Sequence, residues 1–203
     1  PYKTASKVRY DVGDFNEVLD KAIEKCDLAG FEKRRMDSAS KGLLRGMGVC
    51  CYIESILGDP TETSRVVFNE DGTVDLFVGT QSNGQGHETV YAQYLADQSG
   101  LPVEMINVIQ GDSDKIPTGG GTGGSRSATV QNTATLALVR TLTERYAAFL
   151  GQYHNVDIAS INFDDEVFRV GGSNIVFSLI DAADLARTEG EQDLLDVTQS
   201  ATL

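Results

Sequence analysis

The sequence predicts an α+β domain: a mixed sheet with a β-hairpin, a βαβ crossover and one long helix. Three observations carry this. Alternating apolar residues flank Asn69-Glu70-Asp71-Gly72, where the Asp-Gly pair supplies the positive φ of a hairpin turn. A strand, a glycine-rich loop, a helical period and another strand then follow in the order of a crossover unit, right-handed if its strands are parallel. A long helical period over 125–150 comes next.

Taken in order, residues 1–10 are polar and expected to be extended. Asp14 offers an N-cap with Glu17 in the capping-box position. Phe15, Val18, Leu19, Ala22, Ile23 and Cys26 follow at helical spacing, so 15–27 reads as an amphipathic helix with Cys26 packed in its apolar face. A second, more polar helix over 31–41 carries Lys33, Arg34, Arg35 and Lys41, a solvated face rather than a phosphate site. Residues 47–56 alternate as a strand does, with Cys50 and Cys51 on opposite faces. The hairpin strands are 65–68 and 73–78.

The crossover helix spans 87–98, burying Val90, Tyr91, Tyr94 and Leu95, with Gly100 as its stop and Pro102 just beyond. Strand 103–110 leads to the long helix, along which lie Val130, Ala134, Ala137, Leu138, Thr141, Leu142, Arg145 and Phe149. Strands at 158–163, 166–170 and 174–177 follow, and Ser178 with Asp181 opens a short helix over 179–187. Beyond Thr188 the composition is polar and a frayed end is expected.

Composition narrows the function. The 203 residues carry a net charge of −13, which argues against a duplex nucleic-acid binder. No apolar run is long enough to span a membrane, and no signal peptide opens the chain. Cys26, Cys50 and Cys51 have neither a disulfide nor a metal spacing, which fits a reducing cytoplasm. The chain starts at Pro1 in mid-pattern, as a piece excised from something longer would.

Two glycine-rich loops dominate the chemistry: 79–89, with Gly84, Gln85, Gly86 and His87, and 118–127, with Gly123, Gly124, Ser125, Arg126 and Ser127. Each precedes a helix, whose N-terminal amides are unpaired and carry partial positive charge, so both suit an anion. Together they are placed to hold one extended anionic ligand from two sides. Gln85 offers a donor and an acceptor between glycines that admit close approach, unless the loop is only a tight turn.

Arg126 and the two serines suit phosphate, unless Ser125 or Ser127 simply caps the helix. Gly119, Gly121 and Gly124 match G-x-G-x-x-G only literally, since Asp112, Asp114 and Pro117 intervene after the strand. His87 reads as a packing or hydrogen-bonding residue and His154 as exposed. Asp112 and Asp114 read as a solvated acidic turn, and no Ser–His–Asp set can be assembled.

Gly-Gln-Gly-His-Glu-Thr at 84–89, Ile-Gln-Gly-Asp-Ser-Asp at 109–114 and Thr-Gly-Gly-Ser-Arg-Ser at 122–127 together resemble the molybdenum-binding large subunit of the xanthine dehydrogenase / aldehyde oxidase family, most nearly its carbon monoxide dehydrogenase branch. Tyr10-Asp-Val-Gly-Asp-Phe15, Gly30-Phe31 and Leu44-Arg45-Gly46-Met47-Gly48 leading to Tyr52-Ile53-Glu54 fit the same pattern.

The resemblance implies a molybdopterin cofactor, usually the cytosine dinucleotide form in bacterial members, whose dithiolene sulfurs hold molybdenum without a protein ligand. It implies oxidative hydroxylation of an aldehyde, carbon monoxide or an N-heterocycle, with electrons leaving through iron–sulfur and FAD partners. Gln85 would bond the pterin, while Gly123 to Ser127 would line the metal's surroundings and the phosphates.

The family's Gly-Val-Gly-Glu base and its Gly-Gly-Gly-Phe-Gly loop do not occur in this sequence, so no catalytic residue is assigned. The chain then reads as a single molybdopterin-binding domain fragment: an N-terminal helical part (1–45), an α/β core (46–190) and a tail (191–203). Alone it is expected to be inactive and to bind the cofactor weakly or not at all. Two rivals are a non-catalytic phosphate- or nucleotide-binding module and a structural docking domain in which both loops serve only as turns.

Overall fold

In the computed structural model, which describes residues 2–5, 7–10 and 13–203, the chain divides into two compact units that meet in sequence between Tyr52 and Ile53. Asp11 and Val12, part of one motif above, lie outside the described residues, as do Pro1 and Ser6.

The first unit holds a short antiparallel pair, β1 (Tyr2–Lys3) and β2 (Arg9–Tyr10), and two helices, α1 (Phe15–Lys25) and α2 (Phe31–Ala39). Asp14 caps α1 as expected, accepting from the Glu17 amide at 2.9 Å. The apolar face of α1 is not buried, however, and Cys26 is exposed, its thiol turned on the Ile23 carbonyl. The two arginines of the basic cluster are spent locally: Arg34 pairs with Asp27, and Arg35 with Glu32. The strand expected over 47–56 does not form. Those residues lie exposed with no partner strand, and without a sheet neighbour alternation alone does not hold an extended segment.

The second unit is built on a four-stranded sheet in the order β5-β4-β3-β9. Strands β3 (Thr61–Phe68) and β4 (Val74–Val78) form the predicted hairpin, with Gly72 at φ 83° in its turn. Helix α3 (His87–Ser99) crosses to β5 (Ile106–Ile109), which pairs parallel to β4. Gly100 ends α3 in the left-handed conformation. Tyr91 and Leu95 are buried, whereas Val90 is 38% exposed and Tyr94 only partly covered.

The 27-residue α4 (Ser127–Tyr153) lies over β3 and β9, and α3 over β5. A second sheet, β6 (Ile161–Asp164), β7 (Val167–Val170) and β8 (Val176–Ser178), packs near the far end of α4. Helix α5 (Leu179–Glu189) follows, opened by Ser178 as expected, and Asp181 returns the bond to complete a capping box.

The frayed end is replaced by order. A 3₁₀ turn buries Leu194 and Leu195, and β9 (Asp196–Thr202) pairs antiparallel with β3 along its length. Its backbone completes the ladder on β3, so its polar side chains face solvent without cost. His154 is also not free: its ring packs between Tyr153 and Phe177, with Nε2 buried and unpaired.

One gradient positions the site. The inward residues of β3 run Phe68, Val66, Ser64, Glu62, apolar to polar. Those of α4 run Leu142, Leu138, Thr135, Gln131, Ser127 in the same sense. Where the two polar ends meet, the apolar core gives way to hydrogen bonds. Gln131 donates to the Thr63 carbonyl (2.9 Å) and to Ser64 Oγ (2.8 Å), and Ser64 bonds Thr135 (2.9 Å). Thr80 joins Tyr91 (2.7 Å) and Gln131 (3.2 Å). Ser64, Thr80, Gln131 and Thr135 thereby all find partners, as burial demands.

Candidate functional site

The two glycine loops, remote in sequence, are joined at the polar end of the core. The Gly121 amide donates to the Gly79 carbonyl at 3.3 Å, and the Thr122 hydroxyl to the Gln81 carbonyl at 2.5 Å. The segment after β5 is tied in as well: Gln110 accepts from the Ser82 amide (2.8 Å) and donates to Glu88 (2.6 Å). Between them lies an open cleft of about 520 Å³, walled by Gln81, Asn83, Ser113, Ile116, Thr118 and Thr122 among others.

The expected site residues stand beside this cleft rather than in its wall. Gly84 (φ 111°) and Gly86 (φ 77°) use the freedom glycine has, and neither has any neighbour within 4 Å of where a Cβ would stand. Gln85 between them is exposed. Its Oε1 accepts from the Asn83 amide at 2.6 Å, leaving Nε2 outward and uncommitted. Gly123 is likewise open. Gly124 packs against Leu57, whose amide donates to its carbonyl at 2.8 Å. Ser125 is exposed in the left-handed region at φ 54°. The amides of Thr122, Gly123, Gly124 and Ser125 donate to no acceptor among the described residues, the condition an anion site requires.

Ser127 turns inward, and His87 packs, one of the two roles its position allowed. Neither Ser125 nor Ser127 caps α4, which has no side-chain cap; Ser127 is buried and bonds the Thr122 hydroxyl at 3.1 Å. His87 is 5% exposed, its ring 4.9 Å from that of Tyr91 and its Nδ1 buried without a partner. Burial holds this imidazole below its ordinary range, so it packs as a neutral ring. The same desolvation pushes the Tyr91 phenol up, against the opposing hydrogen bond from Thr80.

Arg126 departs furthest. It is 3% exposed, and its guanidinium makes four hydrogen bonds: to Glu62 (2.9 Å) and to the carbonyls of Asp59 (2.7 Å), Thr61 (2.8 Å) and Gly121 (2.8 Å). The sequence pattern suggested a guanidinium presented to an anion; the structure turns it inward.

The cleft wall draws on both glycine loops, Gln81 and Asn83 from the first and Thr118 and Thr122 from the second. What sequence reasoning missed is the share of the segment that joins them, with Ser113 and Ile116, where Asp112 and Asp114 read only as a solvated acidic turn. Asp112 does make that turn, accepting from the Asp114 amide at 3.0 Å, and no group of three or more metal-ligating side chains occurs among the described residues.

A family model described as the molybdopterin cofactor-binding domain matches residues 21–201. The carbon monoxide dehydrogenase large chain of Hydrogenophaga pseudoflava is 28% identical over 201 residues, covering 92% of this chain and 25% of that one. The nicotine 6-hydroxylase large subunit of Paenarthrobacter nicotinovorans is 34% identical over 143 residues, covering 64% of this chain and 17% of that one.

Among solved structures, a Cu,Mo-CO dehydrogenase superposes with a TM-score of 0.70 at 24% identity, over 100% of this chain and 28% of that chain. Quinoline 2-oxidoreductase from Pseudomonas putida 86 gives 0.69 at 21%, over 100% and 28%. At these identities the structures establish the shared fold, the mixed α and β architecture of those large subunits. The chain spans about a quarter of the length of the carbon monoxide dehydrogenase large chain it matches. With the match running from α1 to β9, the chain belongs to the molybdopterin cofactor-binding domain family.

Proposed function

We propose that this chain is the part of a molybdenum hydroxylase large subunit that grips the cofactor between its two glycine loops, in the service of oxidising an aldehyde, carbon monoxide or an N-heterocycle. The observation that carries this is the joining of the loops into one cleft, flanked by open glycines and by the unpaired amides of Thr122–Ser125.

These residues suit a pterin dinucleotide. Gln85 would offer its free amide nitrogen to the heterocycle, and Gly84 and Gly86 on either side of it leave open space. The amides of Gly123, Gly124 and Ser125 offer donors to phosphate oxygens without a cationic side chain. Ser127 supports that loop from beneath through Thr122 rather than touching the ligand, and His87 holds the base of the first loop by packing on Tyr91. When bound, the cofactor supplies the redox chemistry, and the chain's share is binding and orientation.

The cytosine dinucleotide form, iron–sulfur and FAD partners and a cytoplasmic site of action complete the proposal. Among the described residues no helix is long and apolar enough to cross a membrane. Acid hydrolysis of the complete large subunit should release cytidine monophosphate in equal amount to molybdenum, and release of no nucleotide would refute the dinucleotide form. The chain alone should not sustain turnover with aldehyde, purine or carbon monoxide; sustained turnover would refute its role as one part of the catalytic unit.

A further inference from the structure

Glu62 and Arg126 form a buried ion pair, their side chains 1% and 3% exposed, at the point where the second glycine loop meets the start of β3. Glu62 does more than neutralise the guanidinium. Its carboxylate also accepts from the Gly120 amide, at 3.0 and 3.3 Å. Arg126 reaches back to the Gly121 carbonyl and across to Asp59 and Thr61. The pair therefore holds both ends of the Gly120–Gly121 peptide to the sheet.

The glycines divide accordingly. A Cβ on Gly120 would stand 2.6 Å from both Arg126 terminal nitrogens, one on Gly119 would stand 2.5 Å from the Gly79 carbonyl oxygen, and one on Gly79 would strike Glu62. Gly84, Gly86, Gly121 and Gly123 instead face open space. Part of the glycine run is thus required by the ion pair and by the seam between the loops. The rest is left free for a ligand.

We propose that Glu62 and Arg126 are positioning residues: a clamp that presets the backbone of Thr122–Ser125 for the ligand and does not touch the ligand itself. What the preset amides receive rests on the cofactor reading above; the clamp does not. Arg126 has its donors directed inward, and its partner's second oxygen is engaged by the loop backbone. A buried pair of this kind contributes more to a unique geometry than to net stability. A lysine at 126 would keep the charge but lose the fork that reaches three carbonyls and a carboxylate together.

The test is amide hydrogen exchange by NMR on the 203-residue chain without cofactor, comparing Glu62→Gln and Arg126→Lys with the parent. The clamp predicts exchange at Gly120 and Gly121 faster by roughly tenfold or more in both variants, with Val66 and Val197 in the β3–β9 ladder unchanged. Unchanged exchange at Gly120 and Gly121 would overturn the proposal. So would equal acceleration at Val66 and Val197, which would make the pair a general stabiliser.

If either variant does not fold, Gly120→Ala displaces the guanidinium while keeping both charges, and the same pattern is expected and decisive. No cofactor enters this measurement. A different ligand in the cleft would leave its outcome standing, and a failed clamp would leave the cofactor reading untouched.

Discussion

Replacing Gly119 by alanine tests whether the seam between the loops is a packed element of the fold. Its backbone has no positive φ, so the cost is steric and not conformational. The new methyl would stand 2.5 Å from the Gly79 oxygen, 2.6 Å from its Cα and 2.9 Å from its carbonyl carbon. Ordinary contact lies at about 3.5–4.0 Å, so one backbone must retreat by about an ångström. It cannot do so freely, because Glu62 lies against Gly79 and the Gly121 amide holds the Gly79 carbonyl.

Overpacking of this kind costs about 1–3 kcal/mol, a fall in melting temperature of roughly 2–12 °C for a unit of this size. Gly123→Ala is the matched control: no atom lies within 4 Å of its Cβ, and it should change stability by less than about 0.5 kcal/mol. Urea unfolding followed by far-ultraviolet circular dichroism measures both. A Gly119→Ala chain as stable as the parent, or a Gly123→Ala chain destabilised equally, would refute the division of the glycines.

Other consequences follow from burial. Desolvation raises the Tyr146 phenol above its ordinary 10.0, and its hydroxyl donates to the Leu194 carbonyl at 2.9 Å. The protonated ring is therefore stabilising below pH 10, and that contribution falls by about 1.4 kcal/mol per pH unit above it. Tyr146→Phe should cost about 1 kcal/mol at pH 7 and flatten the alkaline fall; an unaltered alkaline slope in urea titrations would count against a buried Tyr146.

His87 is held below its ordinary 6.5, so it stabilises the fold while neutral, and this is lost as pH drops from about 6.5 through the folded value. His87→Phe should remove that part of the acid sensitivity, whereas an NMR titration placing the imidazole above 6.5 would contradict its burial. Deleting 192–203 takes away β9 with the buried Leu194, Leu195 and Val197, and should abolish cooperative unfolding. A sharp transition in the shortened chain would show that β3 does not need its outer neighbour.

The hairpin, the crossover and the long helix were legible because each rests on local signals: Asp71-Gly72 in the turn, Gly100 at the end of α3, and helical spacing of apolar residues. Strand β9 was hidden, since Asp196-Val-Thr-Gln-Ser-Ala-Thr buries little beyond Val197 and is held by backbone pairing to β3, more than a hundred residues earlier in the chain. The segment 47–56 misled in the opposite sense, with the right alternation and no neighbour.

At the site, the convergence of the two loops was foreseen. The fate of Arg126 was not, because local sequence places a cation at a helix start, and only the fold reveals that Glu62, 64 residues earlier, has claimed it. The gradient from Phe68 to Glu62 along one face of β3 was the available clue. A buried carboxylate requires a partner.

The most direct test of a shared cleft is the molybdenum and pterin content of the complete large subunit carrying Gln85→Ala or Gly123→Ala, after dialysis against cofactor-free buffer. Both variants should fold as the parent does and retain markedly less of both metal and pterin. Full retention in both would mean that the loops do not hold the cofactor.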